Sequence, residues 1–256
     1  MNPQNVSTGV FAAQERLEWL REQLAKNGWV AIADAAISLG ASEMTIRRDL
    51  ATLEALGEAR RIRGGAQALG PSPFRSRSPR NAKAKITIAE KVLPMISATG
   101  AIAIDSSSTM ACLANILSSA QDLLVVTNGP EAFDALQGRP GIRPVLTGGE
   151  RDRRTSSLVG PAAESVARSF HYDAVFVSAA AVDSATGCLE ATQEEASLLR
   201  VFASCSSRVI VGVDSSKLES SAPAVALRWN EVDVLVTELA PDTDRLRTLR
   251  DLTSVQ

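Results

Sequence analysis

Histidine and tyrosine each occur once in the 256 residues, and aromatic side chains make up only 4% of them. With His171 as the one imidazole and three scattered cysteines (Cys112, Cys188, Cys205) that form no Cys-x-x-Cys pair, no zinc site assembles on familiar spacings. Neither a metal nor a cofactor is expected. The odd number of thiols gives no disulfide framework, and reduced cysteines fit a cytosolic setting. No apolar run approaches the roughly 20 residues of a membrane span, and no charged and apolar leader opens the chain. The expectation is a cytoplasmic protein with no membrane partner. Charge of one sign is scarce too. The formal net charge is −2, so the whole molecule is no polyelectrolyte, and any contact with phosphate must come from local clustering.

Such clustering is present between Leu39 and Ala66. A glycine turn at Gly40 precedes a short helix bearing arginines, and a basic hairpin, Ala59-Arg60-Arg61-Ile62-Arg63-Gly64-Gly65-Ala66, follows. Gly40 supplies the permissive backbone of a tight turn, and Ser42 is placed to cap the helix. Ile46, Leu50 and Leu53 fall on one face, while Met44, Thr45, Arg48 and Thr52 share the other with Arg47 on its flank. Upstream, residues 11–27 read as a helix with Leu17, Leu20 and Leu24 on one stripe. Residues 29–32 form a short apolar segment and 34–39 a second helix. The order is helix, turn, recognition helix and wing, a DNA-binding module. Its candidate contacts are Ser42, Met44, Thr45, Arg47, Arg48, Arg60, Arg61 and Arg63, with Thr45, Arg47 and Arg48 reading bases and the hairpin arginines holding phosphates.

The expected organisation is a disordered tail (1–10), the winged module (11–66), a linker (67–81) and an α/β domain (82–256). The linker is rich in proline and serine, and Arg75, Arg77, Arg80, Lys83 and Lys85 make its surroundings basic, either as a solvated connector or in touch with DNA. Beyond it, apolar runs at 101–104, 123–126, 145–146, 174–177, 209–213 and 234–236 alternate with helix-like stretches at 108–117, 130–136, 160–169 and 194–203. Continuous apolarity implies strands buried on both faces of a parallel sheet. Polar loops follow those strands, and open α/β sheets bind ligands at that edge. Hydroxyls and N–H groups at a helix start receive anions, and Lys217 adds a charge.

Two stretches of the N-terminal module, Gly40-Ala41-Ser42-Glu43-Met44-Thr45-Ile46-Arg47-Arg48-Asp49-Leu50 and Arg63-Gly64-Gly65-Ala66, resemble the DNA-binding domain of DeoR-family bacterial transcription regulators. Arg63 stands where that family usually has histidine. Asp105-Ser106-Ser107-Ser108-Thr109, Val126-Thr127-Asn128, Gly148-Gly149, Val159-Gly160 and Asp214-Ser215-Ser216-Lys217 are similar to its C-terminal sensor domain, whose fold is like that of ribose-5-phosphate isomerase. The resemblance spans residues 11–238 and implies a repressor of carbohydrate or related metabolic genes, modulated by a small phosphorylated effector. It also implies an effector set of Asp105, Ser106, Ser108, Thr109, Asn128, Gly148, Gly149, Asp183, Glu195 and Lys217. Two positions depart from the family pattern: Ser107 replaces a glycine, and Leu199-Arg200 replaces Lys-Arg.

An isomerase-like domain invites an enzymatic reading through Asp105, Asp183 and Lys217. The fused DNA module accounts for a pocket without turnover, and fold similarity carries no chemistry. His171, between Phe170 and Tyr172, reads as structural. One recognition helix reads few base pairs, so a homo-oligomer, dimer or tetramer, on double-stranded operator DNA is expected.

Overall fold

A computed structural model describes residues 13–56, 58–68, 74–152 and 155–256. The expected tail, the helix start at Phe11 and the Gly70-Pro71-Ser72-Pro73 stretch lie outside the described residues, as does the Arg75 side chain. The chain divides into two units between Ser76 and Arg77.

In the first unit, α1 (Ala13–Asn27), β1 (Trp29–Ala31), α2 (Ile32–Leu39) and α3 (Glu43–Ala55) lead into a wing of β2 (Ala59–Ile62) and β3 (Gly65–Ala68). The leucine stripe of α1 (Leu20, Leu24) packs with Ile46, Leu50 and Leu53 of α3, all five essentially excluded from solvent. Each such side chain is worth roughly 1.5–3 kcal/mol of burial, so the apolar face of α3 is what fixes the helix. Gly40 ends α2 at φ 58° with its N–H on the Ala36 and Ile37 carbonyls. The three strands lie in the order β1-β3-β2, both pairs antiparallel. The two wing glycines do different jobs. Gly64 turns the hairpin at φ 85°, whereas a Cβ on Gly65 would sit 2.1 Å from the Val30 carbonyl oxygen, so only glycine lets β3 reach β1. The wing runs to Ala68, so Gln67 and Ala68, expected in the linker, are paired with Arg60 and Ala59. Part of that linker is also helical: α4 spans Phe74–Arg77.

The second unit alternates as the sequence implies. Its elements are α5 (Ala82–Val92), β4 (Thr99–Ile104), α6 (Ser108–Ile116), β5 (Asp122–Thr127), α7 (Pro130–Leu136), β6 (Ile142–Leu146), β7 (Glu150–Arg151), β8 (Leu158–Val159), α8 (Pro161–Arg168), β9 (Ala174–Val177), β10 (Ala181–Asp183), β11 (Gly187–Glu190), α9 (Gln193–Ser204), β12 (Val209–Gly212), β13 (Ala224–Leu227), β14 (Val234–Val236), α10 (Arg247–Arg250) and β15 (Ser254–Val255). Seven strands form one parallel sheet in the order β15-β14-β12-β9-β4-β5-β6. Both faces are covered, as the unbroken apolar runs require. Ile102 and Ile104 pack with α5, α6 and α7 on one face, while Ala103, Val175 and Val177 pack with α8 and α9 on the other.

A small antiparallel sheet, β10-β11-β13, and the β7-β8 pair stand among the segments that the sequence pattern leaves as polar loops. From β4 the chain steps to β5 and β6, then returns to β9 on the opposite side of β4. This reversal makes a topological switch point at the carboxyl ends of β4 and β9, where doubly wound sheets hold ligands in a crevice.

Candidate functional site

On the winged unit, the Ser42 hydroxyl accepts the Thr45 N–H at 3.1 Å and bonds the Thr45 hydroxyl at 2.9 Å. Ser42 therefore caps the recognition helix and orients Thr45. Met44 is 60% exposed. Arg47 forms an exposed ion pair with Glu43 at 3.3 Å, worth little in water. Arg48 is exposed and makes no side-chain hydrogen bond among the described residues. Asp49, on the same helix, is buried and receives Arg16 of α1 at 2.8 Å and 3.3 Å. In the wing, Arg60 and Arg63 are exposed. Arg61 differs. Its main-chain N–H and its guanidinium both bind Glu54, which holds the Glu54 carboxyl below the usual carboxylate range. Glu54 thus occupies the Arg61 guanidinium, whereas Arg60 and Arg63 make no side-chain hydrogen bond among the described residues.

In the crevice of the second unit, Asp105 follows β4 and is buried. One carboxylate oxygen accepts the Ser107 N–H at 2.9 Å and the other the Ser178 N–H at 2.8 Å, tying the β4 loop to the β9 loop. Burial pushes its carboxyl up, against the pull of those bonds. Ser107, in place of the family's glycine, is accommodated by the loop. At φ −70° its backbone is ordinary, and its hydroxyl caps α6 by accepting the Met110 N–H. Ser108 and Thr109 are buried in the first turn of that helix.

Asn128, 1% exposed in contrast to the open recognition helix, donates to the Leu158 carbonyl at 3.1 Å and to Ser106 at 3.4 Å. Its Oδ1 is buried with no partner among the described residues, an unfilled acceptor at the end of β5. Gly148 and Gly149 follow β6 at φ 64° and 107°, and a Cβ on Gly149 would meet the Val159 carbonyl at 2.6 Å. Lys217 follows β12, half-buried; burial lowers its pKa while Asp214 opposes the shift. Its ammonium makes no hydrogen bond among the described residues.

Two expectations are corrected. Asp183 is a turn cap: exposed between β10 and β11, its Oδ1 accepts the Ala185 and Thr186 N–H groups at 3.1 Å and 2.7 Å, and Thr186 keeps its carboxyl low. Lys85 is not part of a solvated connector. It is buried in α5 with Nζ on the Arg77 and Arg80 carbonyls, and desolvation lowers its pKa to about 8.

Glu195 is buried at the start of α9, where Ser157 donates to Oε1 at 3.1 Å and Thr192 to Oε2 at 3.3 Å. Its neighbour Glu190 went unread, though a glutamate closing the apolar Gly187-Cys188-Leu189 strand is a signal of sorts. Burial raises the Glu190 pKa well above the ordinary value, and the nearby Glu195 and Asp105 add to it. A carboxyl raised in this way keeps its proton in the folded state after the unfolded chain has lost it. Stability is therefore withdrawn as pH climbs from about 4.3 through the folded value. Glu190→Gln should raise the melting point of this unit at pH 8, by about 1 kcal/mol in stability, and change it little at pH 4. Equal melting curves at pH 8 would contradict the assignment.

Among the described residues, no cluster of three or more His, Cys, Asp or Glu side chains is arranged for a metal ion, and no helix is long and apolar enough to cross a membrane.

Residues 16–71 match a family described as DeoR-like helix-turn-helix domain, and residues 80–239 match DeoR C terminal sensor domain. The transcriptional repressor AccR of Agrobacterium fabrum is 31% identical over 89% of this chain and 90% of its own. The L-fucose operon activator of Haemophilus influenzae is 30% identical over 80% of this chain and 82% of its own. A solved ribose 5-phosphate isomerase A from Methanocaldococcus jannaschii, 15% identical, covers 54% of this chain and 55% of its own at a TM-score of 0.39, a likeness too loose to argue from.

Proposed function

This chain belongs to the DeoR family of DNA-binding transcriptional regulators and not to an enzyme family, and from that premise we propose that it represses carbohydrate or related metabolic genes under control of a phosphorylated, sugar-like effector. The observation that carries the effector reading is the crevice. The α6 start with Ser108 and Thr109, the unfilled Asn128 acceptor, the Gly148-Gly149 turn and the Lys217 ammonium all follow strands of one parallel sheet at their carboxyl ends. Backbone N–H groups at a helix start and a nearby lysine suit an anion, and the unfilled acceptor suits a ligand hydroxyl. Asp105, with both oxygens taken, shapes the loops around the ligand rather than binding it.

The winged unit (11–68) binds double-stranded operator DNA, 82–256 senses the effector, and two or four copies act together in the cytoplasm. Pairing is needed because a single helix and wing cover too few base pairs for useful selectivity.

Lys217 provides the test. Lys217→Ala should weaken binding of the effector, found by a thermal-shift screen of phosphorylated sugars and polyols, by about tenfold, the scale of one charge-assisted hydrogen bond. Operator binding without effector should be unchanged. Calorimetry showing parent-like affinity for the screen hit in both Lys217→Ala and Asp105→Ala would place the effector elsewhere.

A further inference from the structure

The second unit opens with Arg77, a residue in none of the loops that follow the strands. Its guanidinium donates to the Thr155 carbonyl at 3.2 Å. From Thr155 a line of hydrogen bonds continues inward. The Thr155 and Ser157 hydroxyls lie 2.6 Å apart, and Ser157 donates to Glu195 Oε1 at 3.1 Å. The next residue, Leu158, gives its N–H to the Asn128 carbonyl at 2.9 Å and receives the Asn128 amide on its own. Residues 155–158 thus string Arg77 to the buried glutamate and to the side chain whose Oδ1 lacks a partner. The backbone of Arg77 is held from behind, since Lys85 Nζ bonds its carbonyl and that of Arg80. The Arg77 charge also acts on Asp105, Glu190, Glu195 and Lys217 alike, which sets it amid the ionisable groups of the crevice.

We propose that Arg77 is itself an effector-binding residue, whose guanidinium takes the anionic group of the ligand together with Lys217 and so makes the stretch of chain leaving the winged unit part of the binding site. The proposal rests on the effector reading above. A lysine offers a point charge, whereas a guanidinium offers a planar fork that matches two oxygens of a phosphate. Without ligand that fork donates to the Thr155 carbonyl, and its charge acts on the carboxyls of Glu190 and Glu195. An arriving anion adds like charge beside Glu190 and Glu195, whose burial already favours the protonated form, so binding draws protons onto them. Occupancy is then felt at the first residue of the second unit, without a relay through the sheet.

The experiment is calorimetry of the full chain with inorganic phosphate and with ribose 5-phosphate, each in two buffers of different protonation enthalpy. The parent should bind at least one probe and take up protons near neutral pH. Arg77→Ala should bind it about ten- to a hundredfold more weakly and take up fewer protons. Arg77→Lys, which keeps the charge and loses the fork, should fall between. Parent-like affinity in Arg77→Ala, with loss in Lys217→Ala, overturns this inference and leaves the effector reading standing. A parent that binds neither probe overturns both. Should Arg77→Ala fail to fold, Arg77→Lys decides, and parent-like affinity there overturns the role of the fork.

Discussion

Asp49→Ala is expected to destabilise the winged unit by about 3 kcal/mol, a large share of the stability of a domain that small. Asp49 sits on the recognition helix beside Leu50, buried, and both its oxygens receive the Arg16 guanidinium from α1. The two side chains are each only 12% exposed, so little solvent screens them. Removing the carboxylate takes away the bidentate partner that holds the Arg16 guanidinium between the two helices and leaves a buried gap on α3, and breaking such a pair costs more than its net worth. The effect also reaches DNA. The pair is a polar link that fixes the helix relative to α1, so affinity should fall for every sequence and not only for the operator. Arg16→Met in the Asp49→Leu background should recover most of the stability, because an apolar pair needs no compensation. Denaturation followed by Trp19 and Trp29 fluorescence in a Trp229→Phe background reports this unit, and a loss below about 1 kcal/mol, the usual scale of a surface pair, would contradict the account.

Arg48→Ala is the second large effect, on discrimination rather than on folding. Arg48 is exposed on the face of α3 opposite Ile46, Leu50 and Leu53, and no acidic side chain among the described residues engages it, in contrast to Arg47 with Glu43 and Arg61 with Glu54. A guanidinium of that kind is disposed for a bidentate contact to guanine, worth about 1–3 kcal/mol of base discrimination. Arg48→Ala should therefore bring operator and scrambled duplex together by roughly 5- to 150-fold while leaving scrambled-duplex affinity nearly as it was. Arg63→Ala, at the wing turn, should instead weaken both duplexes and lower the salt slope by about one. Anisotropy titrations at several salt concentrations separate the two patterns. Undiminished discrimination in Arg48→Ala would remove it from the reading set.

The winged unit was legible because its signals are local. A glycine in the left-handed region, a serine cap and three apolar residues on one face mark the turn and α3 within a short stretch of sequence. The parallel sheet was legible for a related reason, since strands buried on both faces leave unbroken apolar runs; β9 and β14 match those runs end to end. What the sequence withheld depends on tertiary company. Lys85 belongs to a basic stretch and looks solvated, yet its ammonium lies against two carbonyls that only the folded turn before α5 brings within reach. Asp183 comes after the apolar run of β9 as other loop residues follow their strands, but between them the chain enters β10, and Asp183 ends that strand at a hairpin away from the parallel sheet. Arg77 and Glu190 are far apart in sequence and carry no motif, and only the fold brings the charge of one within reach of the other.

The central claim, that one chain couples operator grip to an effector in the crevice, is tested most directly by a single titration. The protein is titrated onto a duplex that it has itself selected from a random-sequence pool, with and without each member of a panel of phosphorylated sugars and polyols. The account predicts sequence-selective binding whose affinity shifts by roughly 5- to 150-fold with at least one member, the usual range of coupling between two sites, and a shift that disappears in Lys217→Ala. Selective binding that no member of the panel moves, or a shift that survives in Lys217→Ala, would contradict it.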